Sequence, residues 1–223
     1  MKRDVCADRD RWVVSRRRMV ERLARSGIRD RRVLDALGAV PRHLLVPDAL
    51  GHRAYEEAPL PIGSGQTISA PGTVAAMSAV LALEGHEQVL EIGTGSAYQA
   101  AVLSQLAERV VSVERVPALA SRARRALDRL GVTNVVVHLG DGTRGWPADA
   151  PYDAIVVTAG GPEIPAPLLE QLAPGGRLIG PFGARGAQRL MRVRREPQGR
   201  LRSPEVLGEA KFVDLVGDHG WGG

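Results

Sequence analysis

The fold of this chain can be inferred from one stretch of sequence, Val89-Leu90-Glu91-Ile92-Gly93-Thr94-Gly95-Ser96-Ala97-Tyr98. Its first residues are mostly apolar, a glycine-rich turn follows, and the residues after the turn favour a helix. This order predicts a buried strand over Gln88–Ile92 and a helix over residues 97–107. In open α/β sheets, ligands bind where a strand turns into a helix. We therefore expect the turn at Gly93 to form part of a functional site.

The alternation of strands and helices continues along the chain in both directions. Further strands are predicted over residues 109–114, 134–139, 152–158 and 177–181, and helices over 9–27, 30–37, 72–83, 117–130 and 165–172. Strands that alternate with helices imply a parallel sheet with helices on both faces. The sequence thus predicts a doubly wound α/β fold with a mostly parallel sheet. Two more strands, over 188–193 and 211–216, would add an antiparallel edge near the C-terminus.

A loop-rich stretch of residues 41–71 follows the N-terminal helices and contains five prolines. Loops of this length inside a compact domain are usually functional or disordered. We expect residues 1–70 to supply the N-terminal helices and a substrate loop. Residues 71–223 would form the catalytic domain, and the two parts would pack as one compact unit.

Composition indicates an ordinary soluble globular protein. Of the 223 residues, 44% are hydrophobic and 25% charged, which excludes a disordered or collagen-like chain. A single cysteine, Cys6, excludes an internal disulfide and a multi-cysteine zinc site. The longest apolar stretch, residues 74–83, is too short to cross a bilayer, and no apolar core follows the basic N-terminus. We therefore expect a cytoplasmic protein with no metal and no membrane partner.

The net charge of +5 and the pI near 10.1 suggest at first a nucleic-acid partner. However, the first 32 residues carry 12 Lys and Arg against 5 Asp and Glu, a net charge of +7. The other 191 residues therefore carry a net charge of −2. A basic tether for nucleic acid is one interpretation of this segment. A solvated helix face that exposes Arg16, Arg17 and Arg18 is the favoured one, because only Trp12 supplies an aromatic ring among the arginines. Nucleic acid is therefore not expected as a partner.

Two acidic residues follow the glycine turn at the ends of successive predicted strands. Glu114 ends the next strand, 21 residues after Gly93. A carboxylate there can accept two hydrogen bonds from the ribose hydroxyls of a nucleoside. Asp141 follows the strand after that and could accept a hydrogen bond from an adenine amino group. A tight turn without any nucleoside is the alternative, but the three features together favour a nucleoside-containing cofactor.

The spacing within the turn separates two classes of cofactor. A dinucleotide fingerprint would need glycine where this chain has Tyr98. An S-adenosylmethionine site has an acid before the first glycine and then a Gly-x-Gly-x-small turn. Glu91, Gly93, Gly95 and Ala97 fit that form. The sequence thus favours S-adenosylmethionine as the cofactor.

Beyond these residues, the chain resembles the protein-L-isoaspartate O-methyltransferases from about residue 19 to residue 216. The loop Gln66-Thr67-Ile68-Ser69 is typical of this family rather than of methyltransferases in general. Other matching segments are Val33-Leu34-Asp35-Ala36, Val40-Pro41-Arg42, Ala54-Tyr55-Glu56-Glu57, Pro61-Ile62-Gly63, residues 89–99, Gly140-Asp141-Gly142, Ala150-Pro151-Tyr152-Asp153, Thr158-Ala159, Leu169-Glu170-Gln171-Leu172 and Pro174-Gly175-Gly176.

The resemblance implies a Rossmann-like methyltransferase fold and a protein-repair activity. The enzyme would transfer a methyl group from S-adenosylmethionine to the α-carboxylate of an L-isoaspartyl residue, leaving S-adenosylhomocysteine. By position, Ser69 is the active-site serine. Gly93 and Ser96 are expected at the methionine moiety of the cofactor, Glu114 at its ribose, and Asp141 with Gly142 at its adenine. The other residues expected at the cofactor are Gln66, Thr67, Ile68, Glu91, Gly95 and Arg115.

The chemistry implied by the resemblance suits the residues that the chain has. A carboxylate is already ionised at neutral pH, so its methylation needs no general base. The five histidines show no catalytic or metal-binding spacing. A hydroxyl such as that of Ser69 can orient the carboxylate. Alternatively, Ser69 could simply cap the helix that begins near Pro71.

Four positions depart from the family pattern. Ala97 replaces a glycine of the turn, and a methyl group there is expected to be tolerated. Gly72 stands where a histidine or aromatic residue is common, which would enlarge the site. Glu57 replaces an aspartate. Asp214 replaces the proline of Phe-Val-Pro-Leu and would place a negative charge near the substrate groove.

A second function fits the same fold. Some relatives methylate an ordinary aspartate of a biosynthetic precursor peptide, and the ester then closes to an aspartimide. In that case the basic first 32 residues would hold an acidic leader. The expected partner is thus an isoaspartyl- or aspartyl-containing protein or peptide, bound by a monomer.

Overall fold

The computed structural model describes residues 5–222, with side chains from Trp12 onward. Six α-helices are present in this part of the chain: α1 (Val5–Arg25), α2 (Arg31–Ala39), α3 (Pro71–Leu81), α4 (Tyr98–Leu103), α5 (Pro117–Arg129) and α6 (Ala166–Glu170). The strands are β1 (Leu60–Gly63), β2 (Gln66–Ile68), β3 (Gln88–Ile92), β4 (Arg109–Glu114), β5 (Val135–Leu139), β6 (Tyr152–Val157), β7 (Leu172–Phe182), β8 (Gln188–Arg194) and β9 (Glu205–Ala210).

Seven strands form one sheet in the order β5-β4-β3-β6-β7-β8-β9. The pairs from β5 to β7 are parallel, and β8 and β9 are antiparallel to their neighbours. From β3 the chain moves outward to β4 and β5, and it then returns to β6 on the other side of β3. The strand order therefore reverses beside β3, where an open α/β sheet has its crevice. This confirms the predicted doubly wound, mostly parallel fold with an antiparallel edge.

Alternate residues of the strands enter two separate apolar clusters. Val89 joins the larger cluster, which also contains buried residues of the helices α1 to α5. Leu90 joins the smaller cluster on the opposite face, together with Leu168 of α6 and Leu215 near the C-terminus. The two crossovers that connect β3, β4 and β5 run in the same direction, so their helices lie on the same face. The larger cluster extends across the predicted boundary at residue 70, and that division stays a prediction.

Helix α2 illustrates how the local sequence specifies an element. Asp30 caps its first turn by accepting a hydrogen bond of 3.2 Å from the Val33 amide. Val33, Leu34 and Leu37 are buried on one face, as their helical spacing predicts. The helix is thus fixed by a cap at its start and by an apolar face against the core.

The stretch of residues 41–71 has more structure than predicted. Two short 3-10 helices, Arg42–Leu45 and Asp48–Arg53, are followed by an antiparallel hairpin of β1 and β2. The predicted Gln-Thr-Ile-Ser loop therefore begins as a strand. Prolines and glycines hid this hairpin, since they are depleted in ordinary strands.

The predicted strand over residues 211–216 is wrong. The last strand, β9, ends at Ala210, and Asp214 makes only an isolated bridge with Gly160. Strand β9 is an edge strand with both faces largely exposed, so it lacks the apolar alternation that would have marked it. The apolar residues around Asp214 have another role, because Leu215 is buried in the smaller cluster and Val213 packs against it.

Several arginines of the basic N-terminal segment make structural contacts. Arg22 donates to the Tyr55 carbonyl at 2.7 Å and Arg32 to the Leu83 carbonyl at 2.8 Å. The Trp12 ring stacks on His43, with ring centres 4.8 Å apart.

In residues 5–222, no helix is both long and apolar enough to cross a bilayer.

Candidate active site

The turn after β3 has an unusual backbone. Gly93, Gly95 and Ala97 have φ angles of +97°, +54° and +68°. Glycine adopts this left-handed region freely, whereas alanine pays on the order of 1 kcal/mol there. The methyl group of Ala97 is fully buried in the larger cluster.

Glu114 connects the end of β4 to this turn. One of its carboxylate oxygens accepts from the Gly95 amide at 2.8 Å and the other accepts from the Val116 amide at 2.9 Å. A carboxylate oxygen can accept more than one hydrogen bond, so Glu114 can still accept from a ligand. Its position beside the turn is the one that the spacing in the sequence predicts.

Two glycines allow the strand ends to approach each other closely. A Cβ on Gly93 would lie 2.5 Å from the Thr158 hydroxyl oxygen, and one on Gly142 would lie 2.5 Å from Cγ2 of Ile92. The Thr158 hydroxyl lies 2.7 Å from the Gly93 carbonyl oxygen. Side chains at these glycines would therefore separate the ends of β3, β5 and β6.

Glu91 is fully buried below the turn, and its side chain does not line the cleft. The Ser112 hydroxyl donates to one carboxylate oxygen, and the Thr94 hydroxyl lies 2.6 Å from that of Ser112. Within the described residues the other Glu91 oxygen has no partner. Burial raises the pKa of Glu91 to about 8, and the charge of Glu114 adds to the effect. Glu91 is thus mostly neutral at pH 7 and supports the turn through Ser112 and Thr94.

The carboxylate of Asp141 is also engaged by the protein itself. One oxygen accepts from the amide and hydroxyl of Thr143 at 2.9 and 2.7 Å, and the other accepts from the Asp218 amide at 2.9 Å. Burial by itself would raise the pKa of Asp141. The hydrogen bonds from Asp218 and Thr143 and the charge of Arg144 outweigh it and hold that pKa below its ordinary value. Gly142 lines the cleft, whereas Asp141 is not among the lining residues.

A deep cleft, which we call the glycine-turn cleft, lies between the turn after β3, the segment from β2 to α3, and residues 213–216. It brings together ten of the twelve residues that the sequence singled out, and Glu91 and Asp141 are the exceptions. The ten are Gln66, Thr67, Ile68, Ser69, Gly93, Gly95, Ser96, Glu114, Arg115 and Gly142.

A second cleft, which we call the neighbouring cleft, opens beside the first between α3 and the end of β9. Thr67, Ser69, Met77, Thr158 and Val213 line both clefts. Within residues 12–222 the Ser69 side chain makes no hydrogen bond, so its hydroxyl is available at the junction. A group bound in one cleft could therefore react with a group bound in the other.

Ser69 does not cap α3, so the alternative prediction of a capping role is wrong. The N-cap residue of α3 is Ala70, whose side chain cannot accept a capping hydrogen bond. Instead, Glu57 accepts a hydrogen bond of 2.7 Å from the Gly72 amide. A Cβ on Gly72 would lie 2.5 Å from the same Glu57 oxygen, so the glutamate occupies the space of the missing side chain.

Sequence reasoning missed the walls contributed by Thr158 and by residues 213–216. Thr158 follows β6, and the rule that carboxyl ends of parallel strands share one edge could have found it. Asp214 was expected near the substrate groove. It lines the glycine-turn cleft instead and pairs with Arg185 at 2.9 Å. No signal in the sequence indicated that pair.

The comparisons with known proteins agree with this architecture. The model of one family, described as Protein-L-isoaspartate(D-aspartate) O-methyltransferase (PCMT), matches residues 14–220. The chain belongs to this family. Protein-L-isoaspartate O-methyltransferase 1 of Syntrophobacter fumaroxidans is 57% identical over 210 residues, which cover 94% of this chain and 97% of that protein. A protein-L-isoaspartate O-methyltransferase of Methanoculleus marisnigri is 56% identical and covers 93% of this chain and 94% of its own length.

A solved structure of a protein-L-isoaspartate O-methyltransferase shares the fold. It superposes with a TM-score of 0.82 at 30% identity, covering 92% of this chain and 67% of the other. Membership of the PCMT family makes this chain an S-adenosylmethionine-dependent methyltransferase. The cradle around the glycine turn fits such a cofactor, because Gly93, Gly95 and Gly142 line the cleft through their backbone and Glu114 keeps acceptor capacity beside it.

Proposed function

We propose that this enzyme methylates the α-carboxylate of L-isoaspartyl residues in damaged proteins or peptides. The observation that carries this proposal is the junction of two clefts at Ser69 in a member of the PCMT family. The glycine-turn cleft would hold S-adenosylmethionine, and the neighbouring cleft would hold the polypeptide. The backbone amide nitrogen of the next residue then attacks the ester carbonyl, methanol leaves, and the resulting succinimide begins repair.

The cofactor residues are proposed from their placement. Glu114 would accept hydrogen bonds from the ribose hydroxyls, while Gly93 and Ser96 would face the methionine moiety. When bound, S-adenosylmethionine supplies an electrophilic methyl group and is released as S-adenosylhomocysteine. Glu91 would act on the cofactor only through the turn, because its carboxyl group is buried beneath it.

On the acceptor side, the chain has to position a carboxylate and exclude water. The acceptor is ionised at neutral pH, so no residue has to remove a proton. The free hydroxyl of Ser69 can donate to one oxygen of that carboxylate and direct the other oxygen at the methyl group. Met77 and Val213, which line both clefts, supply apolar surface around the reacting groups.

Modification of an aspartate in a precursor peptide is less favoured. The curated relatives at 57% and 56% identity are both named protein-L-isoaspartate O-methyltransferases and match nearly their full length. The proposed substrate is therefore the isoaspartyl form. The cytoplasmic location and the monomeric state stay predictions.

Two peptides that differ only in an isoaspartyl or an aspartyl residue test the proposal. With radiolabelled S-adenosylmethionine, we expect base-labile methyl ester on the isoaspartyl peptide and none on its aspartyl twin. Equal labelling of both peptides, or labelling of neither, would contradict repair. Labelling of the aspartyl peptide alone would favour the precursor function instead.

The role of Ser69 can be tested in the same assay. Ser69→Ala should lower kcat/KM by about 10- to 100-fold, the cost of losing a hydrogen bond to a charged group. Binding of S-adenosylhomocysteine, measured by calorimetry, should stay within twofold. Ser121→Ala, at an exposed position on α5, is the matched control and should leave both quantities unchanged. An unchanged kcat/KM in Ser69→Ala would remove Ser69 from the active site.

A further inference from the structure

The C-terminal segment, residues 212–222, forms one wall of the glycine-turn cleft. Three hydrogen bonds tie it to Gly160 in the loop after β6. The Gly160 amide donates to the Val213 carbonyl at 2.7 Å, and the Leu215 amide and the Trp221 indole N–H each donate to the Gly160 carbonyl at 2.8 Å. Because residues 213–216 line the cleft, its shape depends on how this segment is held.

The same segment packs on the loop after β5. The Asp218 amide donates to Asp141 at 2.9 Å, and the His219 amide donates to the Thr143 hydroxyl at 3.1 Å. A Cβ on Gly217 would overlap the Asp141 carboxylate. The segment thus bridges the loop after β6 and the loop after β5, where the adenine of the cofactor is expected.

Arg185, in the turn between β7 and β8, contacts this segment at two separate places. Its Nε donates to the Asp214 carboxylate at 2.9 Å. Its guanidinium group lies 4.5 Å from the centre of the Trp221 ring. One side chain therefore connects the part of the segment that lines the cleft with the part that anchors it.

The arrangement at Asp214 explains how this contact can matter. The Asp214 amide donates no hydrogen bond among the described residues, so its backbone is held only through Val213, Leu215 and its own side chain. Proline at this position, as in Phe-Val-Pro-Leu, would restrict the backbone by its ring. In this chain the ion pair with Arg185 can supply that restriction.

We propose that Arg185 is a positioning residue for S-adenosylmethionine binding, which acts through Asp214 and Trp221 to hold the C-terminal segment as the cleft wall. The proposal rests on the proposed function only for the identity of the cofactor. An exposed ion pair adds little to global stability, so the effect should be local to the wall. Loss of the Arg185 contacts should lower the affinity for the cofactor and leave kcat nearly unchanged.

Arg185→Ala is the first test. We expect the KM for S-adenosylmethionine and the Kd for S-adenosylhomocysteine to rise about five- to tenfold, with kcat within twofold, on the scale of one ion pair and one cation–π contact. Without any ligand, amide hydrogen exchange at Leu215, Asp218 and Trp221 should become faster. Arg31→Ala, which removes an exposed ion pair with Asp35 on α2, is the matched control and should change none of these.

Two further sets of variants test whether Arg185 acts through Asp214. The exchanged pair Arg185→Asp with Asp214→Arg should recover part of the lost affinity, since the two charges still attract while the contact with the Trp221 ring is lost. In an Asp214→Pro background, Arg185→Ala should cost less affinity than in the wild-type background, because the proline ring restricts the wall and only the contact with the Trp221 ring is lost. Failure of the exchanged pair to recover affinity, together with an undiminished cost in the proline background, would overturn the proposal.

The outcomes separate this proposal from the proposed function. The Kd for S-adenosylhomocysteine and the hydrogen exchange need no methyl acceptor. If the enzyme binds S-adenosylhomocysteine but methylates no isoaspartyl peptide, the substrate assignment fails while the role of Arg185 is still measured. If Arg185→Ala changes neither Kd nor exchange, the positioning role fails while the substrate assignment stands.

Discussion

Glu91 shows how burial changes the part that a single residue plays. The sequence placed this acid among the cofactor residues because it precedes the first glycine of the turn. In the fold its side chain points away from the cleft into the larger apolar side of the sheet, where Ser112 donates to it. Its effect on any ligand is therefore transmitted through Ser112 and Thr94.

The pH dependence of stability should report the state of Glu91. Its pKa is about 8 in the folded protein and near its ordinary value of 4.5 when unfolded, so the folded state keeps a proton that the unfolded state loses. The free energy of unfolding should therefore fall as pH rises from about 4.5 to 8. Glu91→Gln should remove this fall, which is on the order of 4 kcal/mol.

Urea unfolding at pH 5.5 and pH 8.5 measures this difference between wild type and variant. Glu84→Gln, at an exposed glutamate, is the control and should keep the wild-type slope. Parallel pH profiles for Glu91→Gln and wild type would mean that Glu91 is ionised in the folded state.

Helix α3 shows how two unusual residues combine within one element. Glu57 lies outside the helix, yet its carboxylate takes the place of a capping side chain at the Gly72 amide. A side chain on residue 72 would compete with that carboxylate for the same space. The departures at 57 and 72 are thus one coupled feature, which the sequence showed only as two separate substitutions.

A double-mutant cycle should detect this coupling. In the Glu57→Ala background, Gly72→Ala should stabilise the protein by about 0.5 to 1 kcal/mol, because alanine favours a helix. With Glu57 present, Gly72→Ala displaces the capping carboxylate, so the gain in stability should be lost. The coupling free energy between the two substitutions should therefore be about 1 kcal/mol.

The matched control for this cycle is Gly38→Ala in α2, whose new Cβ would meet only Val20 at 3.8 Å. Its effect should be additive with that of Glu57→Ala in chemical denaturation. Additivity of Gly72→Ala with Glu57→Ala as well would show that the two residues act independently.

Among the elements, the strands β3 to β8 and most helices were predictable, because burial on one or both faces leaves a periodic apolar pattern. Helix α4 ends at Leu103 rather than at residue 107, since propensity does not locate the last turn. The hairpin of β1 and β2 and the strand β9 were not predictable. Both are short or exposed, and their pairing is decided by neighbours rather than by their own residues.

At the scale of the whole molecule, the glycine-turn cleft is assembled from segments that are distant in sequence. The segment from β2 to α3, the turn after β3, the end of β4 and the C-terminal segment each supply one wall. A ligand that fills the cleft therefore connects parts of the chain that unfold together. Binding should stabilise the entire fold and not only the cleft.

S-adenosylhomocysteine at 100 times its Kd should add about 2.7 kcal/mol and raise Tm by about 5 to 10 °C in calorimetry. At the same ligand concentration, Glu114→Gln should show a smaller rise, because an amide accepts fewer hydrogen bonds than a carboxylate. Glu84→Gln should keep the full rise. A full rise in Glu114→Gln would place the ribose elsewhere.

The fold class and the family could be predicted from the sequence alone, and ten of the residues that it singled out line the glycine-turn cleft. This was possible because apolar periodicity defines the strands, and the carboxyl ends of parallel strands share one edge. Tertiary structure alone decided that Glu91 is buried and neutral, that Asp141 holds the C-terminal segment and that Arg185 pairs with Asp214. These contacts join residues as far as 77 positions apart, and no local pattern encodes which distant donor will reach a given carboxylate.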